Sequence, residues 1–260
     1  MNKSRIEWTD FTWNPVTGCW GPGGSAENPK WCFYCYAMRM ACRFNVGQRP
    51  DGSFPPGFFP TFYPERLNQP AKVKKPSKIF VCSMGDLFGD WVPQEWIEAV
   101  LNRTQRGDYS QHIYQFLTKN PKRLKDFNPW PDNAWVGTTV TNQADADERL
   151  PWLLQVDAPV RFVSHEPLLG AIKIRHGQGL FPTKTYSRSG QYGQDLMITK
   201  TPVLSWAIIG AMTGPGAVRP EVDWVMGLAQ QYRDAGVPLF LKDNLGFKDQ
   251  PQEFPKKAPK

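Results

Sequence analysis

Residues 113–164, IYQFLTKNPKRLKDFNPWPDNAWVGTTVTNQADADERLPWLLQVDAPVRFVS, decide the fold. Three short and mostly apolar runs stand in this stretch: Ile113–Leu117, Ala134–Val140 and Val160–Ser164. Runs of that length without strict polar alternation read as strands covered on both faces, as in parallel sheets. Between them lie Pro121–Phe127 and Asn142–Gln155, which open on a proline or an asparagine cap and carry one apolar face. The alternation extends in both directions. Ile79–Ser83 and a helical Pro93–Arg106 precede it; Leu204–Ile209, a helical Glu221–Ala235 and Val237–Leu241 follow. With an early strand near Phe11–Val16 the count reaches about seven parallel strands. The expected fold class is therefore α/β, a full or partial parallel (β/α) barrel with long loop insertions. A single domain is expected over residues 1–247, with irregular segments at 43–78 and 171–202, followed by a basic, mobile tail at 248–260.

Such a barrel places function at the C-terminal ends of its strands. Cys19 follows the first strand, Met84-Gly85-Asp86 the second, Thr118-Lys119 the third, Thr138-Thr139 the fourth, His165-Glu166 the fifth and the glycine-rich Gly210–Gly216 the sixth. Cys19, Cys32 and Cys35 carry the strongest chemical signal. The last two form C-F-Y-C, and Cys19 lies upstream across the glycine-rich segment GPGGSAENPK. Three thiolates would hold three irons of a four-iron cluster and leave one iron open to an exchangeable ligand. Structural zinc is the rival: it needs a fourth ligand, from Cys42 or a histidine, and His112, His165 and His176 lack the paired spacing of a finger. Three small buried residues without metal is the blandest reading.

Among the strand ends, Gly85 would allow a ligand close to the backbone, and Asp86 would accept from an ammonium group. Glu166 would meet a ribose hydroxyl or a cation, or pair with Lys119 or Lys242. Gly210 and its loop would offer amides to a nucleotide, and Tyr34 a face to a nucleoside. Each has a plain alternative as a turn, a packing residue or an ion pair. Cys42 and Cys82 read as packing residues, Trp91 and Trp96 as core.

Composition bounds the rest. A chain of 260 residues with 40% apolar content fills a substantial core. An odd count of 5 cysteines favours a reducing compartment, and no long apolar run marks a leader or a membrane span. The protein is expected to be cytoplasmic and soluble. A net charge of +7, concentrated at Lys72–Lys78 and at Lys256, Lys257 and Lys260, permits but does not require a nucleic-acid partner.

The segments IEWTDFTWNPVTGC, CFYCYA, FYPERLNQP, KKPSKIFVCSMGDLF, LTKNPKRL, ADERL, RFVSHEPLLG and AGVPLFLK together resemble a phage-associated protein family of unknown function that is similar to the radical S-adenosylmethionine superfamily. The match runs from about residue 5 to 247. The resemblance implies a [4Fe-4S] cluster on Cys19, Cys32 and Cys35, with S-adenosyl-L-methionine on the fourth iron and a 5′-deoxyadenosyl radical as the reactive species. It also implies a methionine contact from Met84, Gly85 and Asp86 and an adenine contact from Tyr34; strand-end position adds Thr118, Thr138, Thr139, Glu166 and Gly210 as candidate cofactor-binding residues. An external electron donor is required. The cysteine spacing is longer than is usual in the superfamily. Where the family tends to carry GGESGPG, this chain has GAMTGPG from Gly210 and lacks the acid; LKDNLG from Leu241 replaces a KQWG-like ending. The expected activity is modification of a nucleic-acid base or a nucleotide, with a peptide or small metabolite as the other substrates. The competing readings are a zinc- or cluster-stabilised nucleic-acid-binding module without turnover, and a cluster used for structure or redox sensing.

Overall fold

The apolar runs form strands that lie side by side. The computed structural model describes residues 1–43, 58–175, 184–187, 195–198 and 204–255. In chain order its strands are β1 (Asn2–Lys3), β2 (Phe11–Trp13), β3 (Val16–Thr17), β4 (Thr61–Phe62), β5 (Lys78–Val81), β6 (Ile113–Thr118), β7 (Ala134–Thr139), β8 (Val160–His165), β9 (Lys184–Ser187), β10 (Asp195–Ile198), β11 (Trp206–Ile209) and β12 (Leu239–Leu241). The α-helices are α1 (Tyr36–Arg43), α2 (Gln94–Thr104), α3 (Gln143–Leu153) and α4 (Val222–Asp234). Pro121–Phe127 folds as a 3-10 helix. Helix α1, directly after the C-F-Y-C segment, is the one α-helix among the described residues that the sequence pattern missed.

The main sheet runs β1-β2-β5-β6-β7-β8-β11-β12. β1 pairs antiparallel with β2 and every other neighbouring pair is parallel. β1 and β12 end the order, and among the described residues no strand pairing closes the sheet into a complete barrel. The sheet nevertheless curls. The Trp8 ring lies 4.8 Å from Phe80 on β5 and 6.2 Å from Trp206 on β11. Those strands stand four places apart, about 19 Å in a flat sheet, so a single indole reaches both only because the sheet wraps around it.

Side chains alternate between the two faces. On the concave face Phe80, Trp135, Val160, Phe162, Trp206, Ile208 and Phe240 pack around Trp8. Gly137 makes room there, because a Cβ on it would stand 2.7 Å from the Phe162 ring. The convex face packs against the apolar stripes of the helices: Ile97 and Val100 of α2, Leu150 and Leu153 of α3, Val225 and Leu228 of α4. The free edge of β12 is covered by part of the stretch expected as tail, through Leu241 N–H to the Pro251 carbonyl (2.8 Å) and Glu253 N–H to the Leu239 carbonyl (3.0 Å). Phe254 stacks on Trp206. Lys256, Lys257, Lys260, His176 and, within the two irregular segments, residues 44–57, 176–183, 188–194 and 199–202 lie outside the described residues. Among the described residues no helix is long and apolar enough to cross a membrane.

Candidate functional site

The site is built first by glycines. Gly18, with φ at 87°, donates its N–H to the Met84 carbonyl (2.8 Å) and forms a parallel bridge with Gly85. A Cβ on Gly85 would stand 2.8 Å from the Gly18 carbonyl oxygen. The small size of Gly85 therefore serves contact with the cysteine-bearing backbone, and not only the approach of a ligand as the sequence suggested. Cys19 N–H is held by the Phe58 carbonyl (2.8 Å). The chain then leaves on a closed excursion. Lys30 N–H meets the Trp20 carbonyl (2.6 Å) and the Trp31 indole donates to the Cys19 carbonyl (2.6 Å), so the two ends of the loop stand together. The unusual spacing is absorbed by this excursion, and Cys19 returns to the neighbourhood of Cys32. A turn from Cys32 to Cys35 (2.9 Å) leads directly into α1.

All three thiols line one cavity of about 300 Å³ above the aromatic floor made by Trp8 and Phe80. It opens at the C-terminal ends of the strands. The period of two continues up each strand and sets which side chains reach it: Leu117 and Lys119 after Gln115, Thr139 after Gly137, Ser164 and Glu166 after Phe162, Lys242 after Phe240.

The thiols accept backbone donors, Cys19 Sγ from Gly21 N–H (3.1 Å) and Cys35 Sγ from Met38 N–H (3.3 Å). Burial nevertheless pushes the Cys19 thiol up to about 12, with the Asp86 carboxylate adding to it, and burial raises Cys35 as well. These are not activated nucleophiles, which need a lowered thiol pKa. A metal would displace the protons by coordination. Among the described residues no three His, Cys, Asp or Glu side chains converge on a point that suits a single metal ion. A four-iron cluster takes each thiolate at a different iron, so its ligands stand apart around it. The donor set, three free thiols facing one cavity with backbone N–H groups on two sulfurs, fits such a cluster.

The other expected site residues divide. Tyr34, Gly85, Asp86, Thr118, Thr139 and Glu166 line the cavity; Met84, Thr138 and Gly210 do not. Met84 packs with Cys19 and Cys35 against Ala37, Ala41 and Phe58, behind the loop. Thr138, one residue out of phase, donates its hydroxyl to the Thr118 carbonyl (2.8 Å). Gly210 donates to the His165 carbonyl and accepts from Leu168, while Asn244 holds both backbone groups of Ala211. That loop therefore has no free amides at its start. A Cβ on Gly210 would stand 3.0 Å from Lys242 and 3.2 Å from Glu166, so this glycine leaves room for their ion pair.

Asp86 is largely occupied: it accepts from Phe88 N–H (3.1 Å), the Thr118 hydroxyl (2.7 Å) and Lys119 N–H (2.9 Å), three of about four lone-pair sites. It clamps the ends of β5 and β6 together. Glu166 pairs with Lys242 at 2.5 Å, and Lys242 also lies 3.8 Å from Glu7. Lys119 is not its partner. His165 is fully buried between the Val140 carbonyl (2.8 Å) and the Tyr232 hydroxyl (2.7 Å), and burial lowers it to about 4. Because a carbonyl only accepts, Nδ1 carries the proton and Nε2 accepts from Tyr232.

Ser164 and Trp8 are cavity residues that the motif reading did not assign, and Lys119 and Lys242, which it named as a strand-end residue and as possible partners of Glu166, line the cavity too; strand parity selects Ser164 and both lysines. Arg39 of α1 was also missed. It donates to the carbonyls of Tyr34 (3.1 Å), Thr213 (3.0 Å) and Pro215 (3.0 Å) and so ties the cysteine loop to the loop after β11. Much of the basic stretch 72–78 lies at the other end of the sheet. Gln111 holds the Val73 carbonyl and Ile113 the Ser77 carbonyl, both at the start of β6.

The sequence matches the family model described as "Protein of unknown function (DUF5131)" over residues 3–259, and the chain belongs to that family. No curated protein matches it. Among solved structures it is similar to a spore photoproduct lyase complexed with dinucleoside spore photoproduct, with 14% sequence identity and a TM-score of 0.43 over 68% of this chain and 50% of that one. This is a likeness of general outline, and the chain spans about half the length of that protein.

Proposed function

We propose that this DUF5131 chain is a radical S-adenosylmethionine enzyme that holds a [4Fe-4S] cluster on Cys19, Cys32 and Cys35 and modifies a nucleotide or a base of a nucleic acid. The observation that carries the reading is the opening of three free thiols onto one cavity at the C-terminal ends of a curled parallel sheet. Cys19, Cys32 and Cys35 would hold the cluster, which, bound and reduced by an external one-electron donor, would supply the chemistry of reductive S-adenosyl-L-methionine cleavage to a 5′-deoxyadenosyl radical. The chain's own part is placement and exclusion. Trp8 and Phe80 close the floor against water, and Tyr34 offers an aromatic face at the thiols. Glu166, oriented by Lys242, presents a carboxylate to a hydroxyl or cationic group. Aromatic walls and a net charge of +7 favour a nucleotide over a peptide or small metabolite. We place the activity in a reducing cytoplasm, that of the host if the gene is phage-borne, where free thiols persist.

The test is anaerobic reconstitution with iron and sulfide, followed by assay for 5′-deoxyadenosine with and without DNA, RNA and nucleotides. About four irons and four sulfides per chain, a colour bleached by dithionite, and 5′-deoxyadenosine stimulated by one substrate class are expected. C19S, C32S and C35S should each lose the cluster while C42S keeps it. One zinc with salt-sensitive nucleic-acid binding and no turnover would establish the binding-module reading instead.

A further inference from the structure

We propose that Lys119 is a positioning residue whose ammonium raises the reduction potential of the cluster held by the three thiols. This rests on the cluster assignment above. Of the two lysines that line the cavity, Lys242 is neutralised by Glu166 at 2.5 Å and faces Glu7 at 3.8 Å. Lys119 has no carboxylate within ion-pair distance among the described residues. Asp86, whose carboxylate meets the Lys119 backbone, directs its oxygens to Phe88 N–H, the Thr118 hydroxyl and the backbone N–H of Lys119 itself. The ammonium instead stands 5.7 Å from the centroid of the Tyr34 ring, between two of the cysteines in sequence.

An ammonium in such a place is costly unless something opposite in charge faces it. Burial works to lower the Lys119 pKa; the Asp86 carboxylate opposes it, and so would Cys32 and Cys35 once deprotonated as cluster ligands, so the group stays charged beside a thiolate-held cluster. Its field also reaches Cys19. Thus one cation, held on the inner face at the end of β6, lines the same cavity as every thiol of the set. Reduction transfers one electron from an external low-potential donor to the cluster, breaks no bond in the chain, and makes the site more negative by one unit. A cation inside the cavity favours the more negative state, and away from bulk water its effect is weakly screened by salt. The charge, rather than a hydrogen bond to one sulfur, is the active feature.

The experiment compares reconstituted wild type, K119Q and K119R by anaerobic potentiometric titration with dithionite, after iron, sulfide and thermal unfolding have been measured for each. K119Q is expected to load the cluster and shift its potential to a more negative value, and K119R to stay near wild type. K74Q, at the far end of the sheet, controls for net charge and should not shift. A loaded K119Q with the wild-type potential overturns the proposal, as does a folded K119Q that takes up no iron while K119R does, since Lys119 would then act in assembly. A wild-type chain that binds no iron and sulfide overturns the cluster assignment, and this proposal with it.

Discussion

Gly18 and Gly85 lie backbone against backbone, and each is glycine for a different reason. At Gly85 a Cβ would press within 2.8 Å of the Gly18 carbonyl oxygen; at Gly18, with φ at 87°, it would stand 1.9 Å from the Phe59 carbonyl oxygen. The first is overpacking against main chain, which no side-chain adjustment relieves. The second combines a left-handed backbone with a collision against main chain. G85A is therefore expected to cost about 1–3 kcal/mol and G18A about 3 kcal/mol or more. Urea unfolding measures both, and iron bound per chain should fall further in G18A, because Gly18 adjoins Cys19. Equal stability of G18A and wild type would sink this account.

Glu166 and Lys242 form a pair within the cavity wall, at 2.5 Å and with side chains only 23% and 10% exposed. Removing one partner leaves the other charge poorly solvated, whereas removing both leaves neither. K242M and E166Q alone should each destabilise by about 2–4 kcal/mol, and the double variant by less than their sum, with a coupling of about 1–3 kcal/mol. A double-mutant cycle in urea reads this directly. Additive losses would mean that Glu7, rather than Glu166, is the partner that matters to Lys242.

The strand runs at Ile79, Ile113, Ala134, Val160, Leu204 and Val237 each became a parallel strand, because burial on both faces leaves a plain apolar signature. Which strand-end residue reaches the cavity was harder to read. Thr138 and Thr139 are chemically alike, and only the alternation that starts at Trp135 separates them: Trp135, Gly137 and Thr139 face inward, while Thr138 bonds to the neighbouring strand. The same parity selects Lys119 and Lys242. Two features were beyond local pattern altogether. Helix α1 is short and begins at the last cysteine, and the pairing of Gly18 with Gly85 joins residues far apart in the chain. Whether the barrel closes was left open by the pattern, since strand count alone does not say whether the first and last strands meet.

His165 makes acid stability predictable in sign. Burial lowers its pKa from the ordinary 6.5 to about 4, so between those values the unfolded chain takes up a proton that the folded chain refuses. The contribution is complete above about pH 6.5 and is lost as the pH falls toward 4, amounting to about 3 kcal/mol at 1.36 kcal/mol per unit. Urea midpoints at pH 7.5, 6 and 5 should decline. In H165Q the decline should flatten, although the variant starts lower because Tyr232 and the Val140 carbonyl lose their partner. An unchanged pH slope in H165Q would assign the acid sensitivity elsewhere.

Trp8 offers a test of the cavity floor in which two magnitudes oppose. Its indole N–H is buried without an acceptor among the described residues, while its ring packs on Phe80 and Trp206. An unpaired buried donor costs about 1–3 kcal/mol, so W8F removes a penalty. The smaller ring leaves a void of some tens of Å³, which costs about 1 kcal/mol at the usual rate for cavities. The two nearly cancel, and W8F should lie within about 1 kcal/mol of wild type by urea unfolding. W8A loses the ring as well and should cost about 3–5 kcal/mol. If W8F costs as much as W8A, the indole N–H has a partner after all, and a buried water beside Gln115, whose Oε1 is likewise unpaired, is the place to look for it.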